Sequence, residues 1–204
     1  MFSQNTNTSK ADYWQARTVD SDVRLHEDGS AEVTVKISVD NPSPPYTPPY
    51  ADGAVEPDSA DPGRGYYTRH NGSAIALFMP RGAELKGSAD VDGTAWDPQV
   101  RLVLDRPYIY RNVELGPQQK AVITVTYRVP DAAVVDGDSL LYHLDIDQQG
   151  MVTLQKYTVT LHVPEGFGPT ATPDGWKLVN GRTLRFDNGS SDESQRLEVA
   201  LSRL

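Results

Sequence analysis

Gly137-Asp138-Ser139-Leu140 is a stretch whose residue types could do chemistry, because a serine after a tight turn is the form of an esterase nucleophile. Acyl transfer also needs a histidine base, an acid to orient it and donors for the oxyanion. No Asp-x-x-His follows Ser139, so those partners have no source, and the four residues read as a turn leading into a strand. The histidines, His26, His70, His143 and His162, are scattered, and no two stand at metal-ligand spacing. Acidic pairs recur at Asp90/Asp92, Asp136/Asp138 and Asp145/Asp147. Calcium takes several such oxygens, but no segment matches an EF-hand loop, so the pairs read as solvated acidic surface. Paired carboxylates also cleave glycosides, but only when they converge across a cleft. No enzyme activity, cofactor or metal is therefore expected.

Residues suited to binding are easier to find. Between positions 41 and 72 the chain reads NPSPPYTPPYADGAVEPDSADPGRGYYTRHNG, far longer than the usual connection of about 4–6 residues. Its prolines favour extended backbone, and Tyr46, Tyr50, Tyr66 and Tyr67 supply rings that could stack on a sugar or a peptide. A plain insertion is the competing reading of this loop. Trp96 and Trp176, with the acidic pairs, would line the cleft if the ligand were a carbohydrate. Asn-x-Ser sequons stand at Asn7, Asn71 and Asn188.

Composition narrows the partners. The 204 residues carry 19 Lys+Arg against 28 Asp+Glu, a net charge of -9, and no basic stripe offsets it. Nucleic acid and anionic membrane surfaces are both disfavoured, and direct membrane insertion is not expected. With no cysteine, disulfides and thiolate metal sites are ruled out. Hydrophobic residues make up 38%, so small cores with much loop are expected. The polar start, MFSQNTNTSK, has no apolar signal region, so the chain is either cytosolic or a piece of a longer one whose export signal lies upstream, and the abrupt start favours the second.

The elements that must hold these residues are strands. Val33, Val35, Ile37 and Val39 alternate with polar neighbours, as do Ile123–Val129 and Tyr157–Val163, which predicts sheets covered on one side. Asp28-Gly29, Asp92-Gly93 and Asn180-Gly181 mark hairpins. The best helical stretch, Asp12 to Arg17, is about a turn and a half. Further strands are expected near 140–146, 152–163, 176–179, 183–186 and 196–201. The expected fold is all-β: antiparallel immunoglobulin-like sandwiches, two in tandem, with a single larger sandwich as the alternative. Residues 1–17 form a lead-in, 18–130 the first sandwich with the 41–72 loop, and 131–204 a smaller second one.

Lys10-Ala11-Asp12-Tyr13-Trp14, the Glu27-Asp28-Gly29-Ser30 hairpin and Asn41-Pro42-Ser43-Pro44 resemble the C-terminal region of actinobacterial surface proteins carrying domain of unknown function 4012. Ala74–Pro80, Leu115-Gly116-Pro117 and Tyr142-x-Leu144-x-Ile146 are similar too. The resemblance implies an extracytoplasmic, cell-surface location and a membrane anchor upstream; it supplies no catalytic residues. The expected function is a non-catalytic envelope module acting as a stalk or as a recognition or adhesion unit toward an envelope protein or glycan. A carbohydrate-binding accessory of a cell-wall-processing enzyme is the alternative.

Overall fold

The structure is a computed structural model, and it describes residues 2–6, 13–45, 70–90, 95–147, 149–189 and 193–204. In chain order the strands are β1 (Phe2–Asn5), β2 (Ala16–Leu25), β3 (Ala31–Asn41), β4 (Asn71–Phe78), β5 (Glu84–Ala89), β6 (Arg101–Val103), β7 (Arg106–Leu115) and β8 (Gln119–Val129). They continue with β9 (Ala133–Asp136), β10 (Ser139–Ile146), β11 (Lys156–His162), β12 (Phe167–Pro169), β13 (Trp176–Asn180), β14 (Thr183–Asp187) and β15 (Gln195–Arg203). No α-helix occurs among the described residues. Ala16 and Arg17, the end of the expected helical stretch, open β2 instead. Their neighbours Val19, Val23 and Leu25 have a period of two, which outweighs one short helical turn.

The strands form one large sheet and two small ones. The large sheet has the order β13-β14-β11-β2-β3-β8-β5, and the small ones β1-β4-β7-β6 and β12-β15-β10-β9. Alternation builds the large sheet's inner face. Val19 stands opposite Ile37, and Ile37 opposite Ile123; Val23 stands opposite Val33, and Val33 opposite Tyr127. The row continues through Leu161 beside Val23 and Leu184 beside Leu161. The other face keeps Thr34 bonded to Thr126 (3.0 Å) and His162 on Asp22 (2.9 Å) in water. Ile75, Leu77 and Ile109 from one small sheet, and Leu140, Tyr142 and Val199 from the other, bury against that inner face as one continuous core.

Strands of both groups seen in the sequence lie in this one sheet. β11 pairs with β2 in parallel, from Lys156 beside Thr18 to His162 beside Arg24. This departs from the purely antiparallel pattern expected. The edge of β2 away from β3 is open, and β11, whose Val159 and Leu161 are wholly buried, extends the same apolar row there. Lead-in residues also join the body: β1 pairs with β4, and Gln15 and Arg17 are buried. The Arg17 guanidinium reaches across to Gln149 Oε1 (3.3 Å) and the Met151 sulfur, tying the segment before β11 to β2.

A glycine pins the junction. The β2–β3 turn places Gly29 at φ 80°, and its carbonyl accepts from both Ala132 and Ala133 N–H at 2.9 Å. A Cβ there would lie 2.6 Å from the Ala133 carbonyl oxygen, so only glycine allows this approach. In the same turn the Ser30 hydroxyl and amide donate to Asp28 Oδ1 (2.6 and 2.9 Å), holding its carboxyl below the usual value.

Candidate functional site

Tyr46, Tyr50, Tyr66 and Tyr67 lie outside the described residues, as does the Asp92-Gly93 turn. What the structure describes is the two roots of the tyrosine-bearing segment. On the departing side, Asn41 Nδ2 donates to the carbonyls of Leu115 and Gly116, both at 3.0 Å. Gln118 Nε2 then holds the carbonyls of Pro42 (3.0 Å) and Ser43 (2.6 Å). On the returning side, Gln15 Nε2 donates to Asn71 Oδ1 (3.1 Å) and Ser73 Oγ (2.9 Å). These amides, Gln15 and Asn41 buried and Gln118 exposed, fasten both ends of the segment to rigid strands. They also place Asn71, one of the sequon asparagines, where a glycan could not attach. Asn188, another, uses Oδ1 to accept from the Tyr157 amide at 2.7 Å.

The tryptophans do not share a cleft. Trp176 is buried on β13 against Phe186, with ring centres 5.7 Å apart. Trp96 bonds through its amide to Ser88 of β5, at the opposite edge of the seven-stranded sheet. Six strand spacings separate those edges, roughly 29 Å. Sequence spacing could not reveal this, because it depends on which strands are the edges. The acidic residues are engaged locally as well. Asp90 pairs with Arg111 (Nε at 3.0 Å), Asp145 with Arg196 (2.9 Å) and Asp138 with Arg203 (3.0 Å). Among the described residues no three of His, Asp and Glu gather as a metal site would require. Ser139 is a ladder residue of β10, opposite Ser202 on one side and Asp136 on the other.

The described surface best suited to binding is the outer face of the small sheet β1-β4-β7-β6. Alternation turns Ile75, Leu77, Ile109 and Val113 inward, which leaves Ala74, Ala76, Phe78, Tyr108 and Tyr110 outward. Phe78 stands opposite Tyr108 across the ladder, and their rings stack at 5.2 Å. Arg101, opposite Tyr108 on its other side, holds its guanidinium 5.0 Å from the centre of the Tyr110 ring. Ala74 and Ala76 form the floor of a shallow hollow of about 240 Å³, walled by Phe78, Tyr108, Val103 and Gln4. Beyond Tyr110 a second hollow of about 220 Å³ is lined by Trp96, Asp97, Gln99, Arg111 and Asn112. There Arg111 lies 5.6 Å from the Trp96 ring while paired to Asp90. The result is a rigid strip of rings and guanidiniums with small residues between them, a form that receives a protruding apolar group. In the sequence, only the alternation of Ala74, Ala76 and Phe78 with Ile75 and Leu77 hinted at this face.

Residues 15–202 match the family described as "Predicted membrane protein (DUF2207) N-terminal domain". The chain belongs to that family. It is a different family from the domain of unknown function 4012 proteins that the motifs resemble, and the match does not bear on that resemblance. Among the described residues no helix is long and apolar enough to cross a membrane. No curated protein matches the sequence. Among solved structures, the chain is similar to a Legionella pneumophila protein described as nutrient-binding, with a TM-score of 0.58 and 10% identity over 98% of this chain and 70% of that one. That likeness supports the all-β fold. The yeast LTA4 hydrolase (TM-score 0.45, 10% identity, 98% of this chain and 30% of that one) is a more distant match. So is an M1 zinc metallopeptidase from Deinococcus radiodurans (TM-score 0.44, 13% identity, 92% and 41%).

Proposed function

We propose that this domain is a non-catalytic recognition module of a membrane-anchored envelope protein, working on the extracytoplasmic side. The exposed strip of Phe78, Tyr108 and Tyr110 on the small sheet would be its docking face. The observation that carries the reading is that strip: three rings and two arginines are held on paired strands and left open to solvent. Recognition surfaces concentrate energy in such aromatic and arginine anchors. The family description, an N-terminal domain, favours an anchor following this domain over the upstream one implied by the resemblance.

A second reading, carbohydrate binding, is favoured by the hollow beside Trp96. There one ring adjoins the hydrogen-bonding side chains of Asp97, Gln99 and Asn112.

One experiment separates these. The purified chain is co-sedimented with isolated envelope material, next to a Phe78→Ser/Tyr108→Ser variant and a variant lacking residues 44–65. Saturable binding lost only in the double variant supports the sheet face. Loss only in the deletion moves the site to the tyrosine loop. Binding by none of the three leaves a stalk. Quenching of Trp96 fluorescence by cell-wall saccharides, abolished by Asn112→Ala, supports the second reading.

A further inference from the structure

We propose that the β6–β7 hairpin is a membrane-contacting tip that docks this domain on an anionic bilayer surface. Val103 and Arg106 close the hairpin, with Leu104 and Asp105 as its two central residues. Both take the left-handed conformation, at φ 49° and 62°. A two-residue turn of this type normally uses Asn-Gly or a similar pair. A leucine there is strained, and this one gains no burial in return, being 85% exposed. Leu102, on the strand leading into the turn, is 72% exposed. Large apolar side chains at a strained tip, without a packing partner among the described residues, point to an apolar medium outside it.

Charge identifies that medium. Arg101 and Arg106 flank the leucines on the hairpin, and Arg81, from the turn before β5, donates to the Leu104 carbonyl (3.5 Å). At the tip itself the guanidiniums of Arg81 and Arg106 outnumber the one carboxylate of Asp105, with Arg101 behind them turned toward Tyr110, so the tip is locally cationic on a chain whose net charge is -9. The overall charge argues against anionic membranes, but local charge governs contact within a Debye length. Leucines ringed by arginines match a surface with acyl chains below and phosphates above.

The position also fits. Arg203, at the end of β15, reaches Glu27 in the β2–β3 turn (3.3 Å). The 79–83 turn that carries Arg81 lies at that same end, since a Cβ on Gly82 would sit 3.4 Å from Pro130, next to the last residue of β8. A membrane segment that follows an N-terminal domain, as the family description reads, would leave from the end of β15. That is the end carrying the hairpin. The tip would therefore fix the domain's height and tilt, and turn the docking face sideways.

The chain has no cysteine, so single labels are clean. An environment-sensitive fluorophore is attached to Leu104→Cys or, as a control on an exposed strand at the far edge of the large sheet, to Leu178→Cys. Each is titrated with phosphatidylglycerol/phosphatidylcholine vesicles and with pure phosphatidylcholine vesicles. The expected result is a blue shift at position 104 only, with at least tenfold stronger partition onto the anionic vesicles that collapses in high salt. Unlabelled Leu102→Ser/Leu104→Ser and Arg81→Gln/Arg106→Gln variants, checked for native circular dichroism, should each lose at least tenfold in partition. No shift at 104, equal shifts at both positions, or variants that partition like the parent would overturn the proposal. So would sedimentation showing a dimer of the parent chain that the leucine variant abolishes, since a second copy would then occupy the tip. Pure lipid contains no envelope partner, so neither outcome depends on the docking face.

Discussion

Gly29 is a single residue through which two distant parts of the chain make contact. Its carbonyl holds the amides of Ala132 and Ala133, and the Cα sits too close to the Ala133 carbonyl for any side chain. Gly29→Ala is expected to destabilise by about 1–3 kcal/mol, from the left-handed φ together with the clash. Chemical denaturation checks this, and an unchanged midpoint would mean that the junction has slack. Asp28-Gly29 was legible as a hairpin from two letters. That the same glycine also receives the chain a hundred residues later was not, because nothing near Ala132 marks its partner.

At the scale of the element, the β6–β7 hairpin shows where local reading stops. Asn180-Gly181 announces the β13–β14 turn with the expected residues. Leu104-Asp105 makes a turn with two left-handed residues and announces little, since Asp105 is a common turn residue but Leu104 is not. The long apolar alternations behaved as their period requires: β3, β8 and β11 lie where Val33–Val39, Ile123–Val129 and Tyr157–Val163 place them. Short strands such as β6, β9 and β12 are set by their neighbours and carry too few residues for a period. The docking face was hidden for a related reason. Tyr108 and Tyr110 face outward only because Ile109 and Val113 are buried, and they meet Phe78 only through the β4–β7 register. Replacing the turn with Leu104→Asn/Asp105→Gly should raise stability by about 1 kcal/mol by relieving left-handed strain. Thermal unfolding measures it. A stability loss would show that Leu104 has a folded-state contact that its exposure does not suggest.

For the whole molecule, the shared sheet and single core imply that the two strand groups unfold together. Two buried tyrosines and a half-buried one offer a way to test this. Burial pushes up the phenols of Tyr127, Tyr142 and Tyr157, while a bond from Ser21 partly offsets the rise at Tyr157. Their folded-state values lie above the ordinary 10.0, so the native chain keeps protons that the unfolded chain releases. Their contribution to stability is complete below about pH 10 and is lost as pH rises beyond it. Tyr127 belongs to the first strand group, Tyr142 and Tyr157 to the second. Alkaline unfolding should therefore run as one transition in which tyrosinate absorbance and circular dichroism coincide. Two separated steps would mean that the groups are independent after all.

The parallel pairing of β2 with β11 has a consequence for how the chain is born. Thr18 must wait for Lys156 before its side of the ladder can close. During synthesis from the N-terminus, the ten residues of β2 carry a bare row of amides and carbonyls until most of the protein exists. Any nascent or clipped chain ending before β11 presents that row beside Val19, Val23 and Leu25, a template for pairing with its own kind. Closure across so long a separation is also intrinsically slow. The last quarter of the chain thus serves as a seal, and incomplete copies are the ones most prone to aggregate.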